Sequence, residues 1–225
     1  MGPGCTFDDY YSYMETYYTG YMYFGEQYDK FEVTDAMIEA YFTEHEAELK
    51  ESDITKDSGN LVDVRHILIK PKGGTKDSDG NTTYSEAEWE ACKEEAQKVL
   101  DRWLSGDMTE ESFAELAELL TEDTGSKDNG GLYEKVKKGS GFVKEFEEWC
   151  MDESRIKGDY GLVKTEFGYH IMYFVDSEAQ WLSECRNGVL SDLSAEVLQD
   201  VMDRYPMTVD YKKIVLGVVD LSAKS

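Results

Sequence analysis

Three histidines are the first residues in this chain whose type could do chemistry: His45, His66 and His170. An imidazole changes charge near neutral pH, relays protons and ligates metals, so its surroundings decide its use. His45 stands in an apolar stripe at helical spacing, with Ile38, Tyr41, Phe42 and Leu49, and reads as a satisfied core residue. His66 and His170 lie in runs that alternate like strands. His66 shares a strand face with Val64 and Leu68, and His170 shares one with Met172 and Phe174. The candidate nucleophiles, Cys5, Cys92, Cys150 and Cys185, are widely spaced, with no Cys-x-x-Cys pair. Cys92, Cys150 and Cys185 fall within apolar periodicities and read as buried free thiols. No ligand spacing supports a metal centre built from His66, His170 and Cys150. Asp77, Asp79, Asn81, Thr83, Ser85 and Glu88 occupy the ligand positions of a calcium loop, but Thr82 stands where the sharp turn needs glycine. That stretch reads as a solvated hairpin tip.

The elements that must position these residues follow from periodicity. Tyr10, Tyr11, Tyr13, Tyr17, Tyr18, Tyr21, Tyr23 and Tyr28 predict a helix with rings on more than one face, packed on the rest of the chain or on a partner. A second helix starts after Thr34 or Asp35 as N-cap, and Glu51 to Asn60 is a polar linker. Val62 to Ile69 is a strand, and Pro71 to Thr83 a Gly- and Asp-rich insertion. Ser85 and Glu88 form a capping box for a long helix burying Trp89, Cys92, Ala96, Val99, Leu100 and Trp103. Thr109 caps another, with Phe113, Leu116, Ala117 and Leu120 on one face. A loop with Gly125, Gly130 and Gly131 leads to a short strand near Leu132, and Phe142 to Met151 is an amphipathic helix. Gly161 to Thr165 and Tyr169 to Val175 are strands joined by a tight turn at Glu166 to Gly168. The tail is helical, with Trp181, Cys185, Val189, Leu193, Val197 and Val201 recurring every fourth place, and a last apolar segment runs from Tyr211 to Leu221.

Composition excludes some partners. The formal net charge is −25; binding nucleic-acid phosphates needs clustered Lys and Arg, and anionic lipid would be repelled. The acidity serves solubility, or draws in basic client segments. No apolar run approaches the length that spans a bilayer, and no charged-then-apolar leader is present.

Several of these segments resemble one family in the right order. Arg65-His66-Ile67-Leu68-Ile69 resembles the opening strand of parvulin-type (rotamase, PpiC) peptidyl-prolyl isomerases, and Glu111 to Ala117 resembles their second helix. Glu122-Asp123-Thr124-Gly125-Ser126 followed by Gly130-Gly131-Leu132 resembles the loop into the second strand. Phe142-Val143 with Phe146-Glu147 resembles the next helix, and Val163 to Ile171, through Phe167-Gly168-Tyr169-His170, is the most specific piece. The resemblance implies an α+β fold: a β-α-α-β-α-β-β domain with a small, largely antiparallel sheet, at residues 61–178. It is inserted between helical segments at 1–60 and 179–225, which together would form a chaperone-like module.

By position, the resemblance implies His66, Asp123 and His170 as catalytic residues, Asp123 falling where the family has Cys or Asp. Two imidazoles on neighbouring strands could share a hydrogen bond, with Asp123 accepting from one of them. Leu132, Phe142 and Phe146 match the apolar pocket for the proline ring, Thr165 the polar residue behind the second histidine, and Phe167 the substrate-facing turn. Two departures stand out: Gly130-Gly131-Leu132-Tyr133 replaces the usual Gly-Gly-Asp-Leu-Gly, and Phe142 replaces a commoner Met.

The implied reaction is rotation about Xaa-Pro bonds, which needs neither cofactor nor metal because no bond is broken. Lys70, Lys72 and Lys76 are interrupted by Gly and Asp, so no phospho-motif specificity is expected. A parvulin domain between helices is similar to the bacterial envelope foldases of the PrsA and SurA families. That implies unfolded or partly folded protein clients and an extracytoplasmic setting, with the native form membrane-tethered by an anchor outside this chain. The alternative is a holdase whose weakly catalytic parvulin domain serves for client docking.

Overall fold

The structure is a computed structural model that describes residues 6–206; the apolar segment expected at Tyr211 to Leu221 lies outside them. The chain divides into two compact units: Leu49–Ser183, and the described residues through Glu48 together with those from Glu184 onward.

In the first of these, the sheet runs in the order β4-β1-β6-β5 and every pairing is antiparallel. Its strands are β1 (Asn60–Ile69), β4 (Leu132–Val136), β5 (Tyr160–Thr165) and β6 (Gly168–Ala179). The helices are α4 (Glu86–Leu104), α5 (Glu110–Leu120) and α6 (Lys144–Cys150), and a short hairpin pairs β2 (Thr75–Lys76) with β3 (Thr82–Thr83). The expected α+β order is therefore present. The expected caps form as well: Ser85 and Glu88 close a capping box on α4, and Thr109 caps α5.

Two of the three carboxylates that suggested a calcium loop are spent on local structure. Asp77 accepts from the backbone of Asp79 and Asn81, and Glu88 accepts from the backbone of Gly74 and Ser85.

Alternation gives the sheet two apolar faces. On one, Ile67, Ile69, Ile171 and Tyr173 pack against Cys92, Ala96, Val99, Leu100 and Trp103 of α4 and Phe113, Leu116 and Ala117 of α5. The Trp103 indole N–H donates to Thr109 O and Ser112 Oγ, both at 3.1 Å, joining the end of α4 to the start of α5. On the other, Val62, Val64, Met172, Phe174 and Val136 meet Phe146, Trp149 and Cys150 of α6. The histidines lie on this second face.

Two boundaries differ from expectation. β6 continues past Val175 to Ala179, because Asp176, Ser177 and Glu178 pair with Asp63, Val62 and Leu61; their polar side chains give no alternation to read. The helix expected over Phe142 to Met151 is only Lys144–Cys150, with Val143 extended as its N-cap. Phe142 thus stands ahead of the helix on extended chain.

The helical unit contains α1 (Phe7–Tyr28), α2 (Asp35–Glu44) and most of α7 (Gln180–Arg204), with α3 (Glu46–Glu51) lying across the boundary. α2 and α7 approach closely, because a Cβ on Gly188 would collide with the Tyr41 ring. Ile38, Cys185 and Val189 are buried here. No residue of α1 is buried, and its tyrosines stand exposed around the helix. His45 differs from its expected role: it is half-buried at the end of α2, stacked on Tyr41 at 4.1 Å and bonded to Glu48.

Candidate functional site

The register of β1 and β6 sets the geometry. Leu68 lies opposite His170 and His66 opposite Met172, so the two histidines occupy diagonal positions on one sheet face. Their Nδ1 atoms are 3.0 Å apart, and the rings stack at 19°. Both are buried, His66 to 2% exposure and His170 to 5%.

The loop after α5 delivers Asp123. Thr121 Oγ1 accepts the Leu68 N–H at 3.0 Å, and the Leu68 carbonyl accepts the Glu122 N–H at 2.9 Å. Pinned in this way to β1, the loop places Asp123 Oδ2 2.9 Å from His66 Nε2. The Ser126 and Tyr133 hydroxyls donate to the same oxygen at 2.6 and 2.9 Å, and the Gly125 N–H donates to Oδ1 at 3.2 Å. From the opposite sheet face, Arg65 steadies the loop: Nε bonds Glu110 at 3.0 Å, and a terminal nitrogen donates to the carbonyls of Asn129 and Gly130. Gly131 allows the close approach, since its carbonyl accepts the His66 N–H at 2.9 Å, its φ is +74°, and a Cβ there would strike the His66 carbonyl.

At the other end, Thr165 Oγ1 lies 2.9 Å from His170 Nε2 and accepts the Phe167 N–H. All four imidazole nitrogens are therefore engaged, and among the described residues no group of three or more His, Cys, Asp or Glu side chains is placed to hold a metal ion.

Electrostatics fixes the direction of the chain. The His66 hydrogen bond, then those of Ser126, Tyr133 and Gly125, outweigh desolvation and hold the Asp123 carboxyl far below its usual range. An ionised carboxylate accepts only, so His66 carries its proton on Nε2. Its Nδ1 then accepts from His170 Nδ1–H, and His170 Nε2 accepts from the Thr165 hydroxyl. Every donor thus points toward Asp123. Burial, with His66 alongside and Asp123 opposing, pushes the His170 pKa down to about 3, which keeps that ring neutral. Burial, followed by donation to Asp123, pushes Tyr133 up to about 12.

Aromatic rings enclose the chain. Phe146, at 1% exposure, has its ring centre 5.4 and 5.5 Å from those of His66 and His170 in edge contacts. Phe142 stacks on it at 4.9 Å, and Tyr133 meets Phe142 edge-on at 4.9 Å. Phe146 is thus the floor, while Phe142 and Tyr133 are the half-buried walls.

Of the residues singled out in the sequence, the structure brings together His66, Asp123, His170, Thr165, Phe142 and Phe146. Leu132 requires a correction. It pairs with Arg65, while Tyr133 pairs with Val64; paired residues share a face, so Tyr133 joins His66 and Leu132 lies on the opposite face. By register, the residue on the histidine face stands one place past the one assigned from the glycine pair. Phe167 is 53% exposed at the β5–β6 turn and reaches the chain through its backbone N–H. Ser126 and Tyr133 were missed; the aromatic next to Leu132, at the departure itself, was the signal for Tyr133, and Ser126 stood in the matching loop segment with no role assigned to it.

Burial raises Cys92 above its ordinary range and Cys150 to about 12, keeping both protonated.

Residues 66–176 match the family model described as Rotamase, the PPIC-type PPIASE domain. The chain is 29% identical over 166 residues to Foldase protein PrsA 3 of Bacillus anthracis, covering 72% of this chain and 48% of that protein. It is 38% identical over 92 residues to Foldase protein PrsA 1 of Bacillus cereus, covering 40% of this chain and 31% of that protein. It is 36% identical over 116 residues to Chaperone SurA of Pseudomonas putida, covering 49% of this chain and 22% of that protein. The chain thus spans about half the length, or less, of these curated relatives.

Proposed function

We propose, for a chain whose residues 66–176 belong to the PPIC-type PPIase domain family, that it catalyses cis/trans isomerisation of Xaa-Pro bonds in protein clients as an extracytoplasmic foldase. The observation that carries this reading is the polarised chain Thr165–His170–His66–Asp123 set against the Phe142–Phe146–Tyr133 aromatic cluster. It supplies a fixed negative charge beside an apolar surface, and no nucleophile.

That combination suits bond rotation. A prolyl amide resists rotation by ~18–20 kcal/mol because twisting costs its resonance. The planar amide is the more polar state, with negative charge drawn onto its oxygen. An apolar wall removes the water that favours this state, and a nearby carboxylate disfavours it further, while the twisted amide is affected less by both. This is catalysis by differential stabilisation, and lowering the barrier by ~4 kcal/mol gives roughly a thousandfold acceleration. Asp123 supplies the charge, His66 and His170 keep it aimed, Phe142 and Phe167 form the rim for the proline ring, and Phe146 and Thr165 support them from below.

The isomerase domain, residues 61–178, lies within the unit Leu49–Ser183. The flanking segments, 1–60 and 179–225, serve as a client-holding module, and the exposed tyrosines of α1 support that role. Membrane tethering of the native form is part of the same proposal; among the described residues no helix is long and apolar enough to cross a membrane. A holdase with a weakly catalytic isomerase domain is the second reading, motivated by the same exposed rings. A protease-coupled assay on Xaa-Pro tetrapeptides, run beside suppression of client aggregation, separates them. Catalysed exchange is expected; background rates with intact suppression would overturn the isomerase reading.

A further inference from the structure

We infer that Tyr133 is a positioning residue for the site, its hydroxyl fixing the Asp123 carboxylate and its ring holding Phe142 upright beside it. The inference rests on the isomerase reading only for what the positioned carboxylate does, since the positioning itself is a property of the folded chain.

Three observations converge on this side chain. Its hydroxyl donates to Asp123 Oδ2 at 2.9 Å, the oxygen that also takes His66 and Ser126. Its ring lies 5.3 Å from His66 and meets Phe142 edge-on at 4.9 Å. Its backbone sits opposite Val64 in the β1–β4 register, which aims it at the histidine face. One residue thus touches the charge, the imidazole and the aromatic wall.

The consequence for the carboxylate is geometric. A carboxyl group on a loop can rotate about its Cβ–Cγ bond and exchange its two oxygens. Donors from His66, Ser126 and Tyr133 converge on Oδ2 from β1, the loop and β4 respectively, whereas Oδ1 takes the Gly125 backbone alone among the described residues. Oδ2 is therefore the anchored atom. Tyr133 contributes the one of these three donors that is carried by a strand-paired residue of β4. Removing its hydroxyl leaves the ring free to keep the wall but releases that hold.

Tyr133→Phe and Tyr133→Leu separate the two contributions. Tyr133→Phe keeps the ring and is expected to lower kcat about five- to tenfold with KM little changed, the size of one lost hydrogen bond. In the same variant the Asp123 carboxyl, followed by side-chain carbon NMR, is expected to titrate at higher pH than in the wild type. Tyr133→Leu is expected to raise KM as well, because Phe142 loses its edge contact. A third measurement needs no variant: in the wild type the Tyr133 phenol should titrate well above the ordinary tyrosine value of about 10. Tyr133→Phe with wild-type kcat and an unmoved Asp123 titration, or a Tyr133 phenol titrating at the ordinary value, would overturn the inference. A wild-type protein that does not catalyse exchange overturns the isomerase reading instead, while both titrations still report on the positioning.

Discussion

Replacing Asp123 with alanine strips the acceptor from four donors at once, the exposed Gly125 N–H and three side chains, which makes its cost calculable from the structure. Ser126 and His66 are buried to 1% and 2% exposure, so their hydrogens cannot turn to water. A buried donor left unpaired costs ~1–3 kcal/mol. Ser126 Oγ stands 3.1 Å from His66 Nε2, so the hydroxyl can accept the orphaned imidazole proton and relieve one of the two. Tyr133 is half-buried and can turn outward. The expected loss is therefore ~1–3 kcal/mol, which a domain of ordinary stability, ~5–15 kcal/mol, survives. At neutral pH the variant should melt roughly 3–10 °C lower than the wild type. In the isomerisation assay kcat/KM should fall about ten- to a hundredfold, the equivalent of one charge-assisted hydrogen bond of ~1.5–3 kcal/mol.

The pH dependence of the melting gap is a check on cause. Asp123 has a folded pKa below its unfolded one, so its stabilisation is complete above the unfolded value and fades as pH falls toward the folded value. The gap between wild type and variant should accordingly be widest near pH 7 and narrow below about pH 4. A variant that melts with the wild type and keeps its kcat/KM would refute the assignment of Asp123 as the charge that organises the site. A gap that persists unchanged at pH 3 would show that packing, not the carboxylate charge, is responsible.

Three further outcomes are expected. Phe146→Ala, which empties a floor residue buried on all sides, should destabilise by about 3–5 kcal/mol in urea titration, so its activity loss will be inseparable from loss of structure; a smaller cost would mean Phe146 is not part of the core. Gly131→Ala should cost more than the ~1 kcal/mol of an ordinary glycine substitution, because it combines a positive φ with a collision at the His66 carbonyl; backbone amide shifts at His66 would show the displacement, and their absence would refute it. His170 has a folded pKa of about 3, far below its unfolded value, so the unfolded chain binds the extra proton first. Stability should then fall as pH drops from about 6.5 toward 3, and His170→Gln should flatten that limb of the stability profile.

The strands carrying His66 and His170 were legible from alternation alone, as were the caps at Ser85 and Thr109, because burial of one strand face and satisfaction of helix-end amides are local demands. The same holds for α4, whose buried stripe is written at regular spacing. The resemblance to parvulins supplied Asp123, Phe142, Phe146 and Thr165 by position. Antiparallel pairing of β1 with β6, and the diagonal register that sets two Nδ1 atoms 3.0 Å apart, lie beyond any local pattern. So does the extension of β6 through Asp176 to Ala179, whose polar side chains follow no alternation and whose pairing depends on β1 across the sheet. The exchange of Leu132 for Tyr133 shows the same division most plainly. The resemblance assigned Leu132 alone to the pocket, and strand geometry puts its neighbour Tyr133 on the opposite face. Only the register against Val64 and Arg65 decides which one meets the histidines. What the chain determined by itself was the inventory of groups and the elements that carry them; what the tertiary structure decided was which donors converge on one carboxylate oxygen, because that convergence is made by β1, β4 and a loop that are distant in sequence.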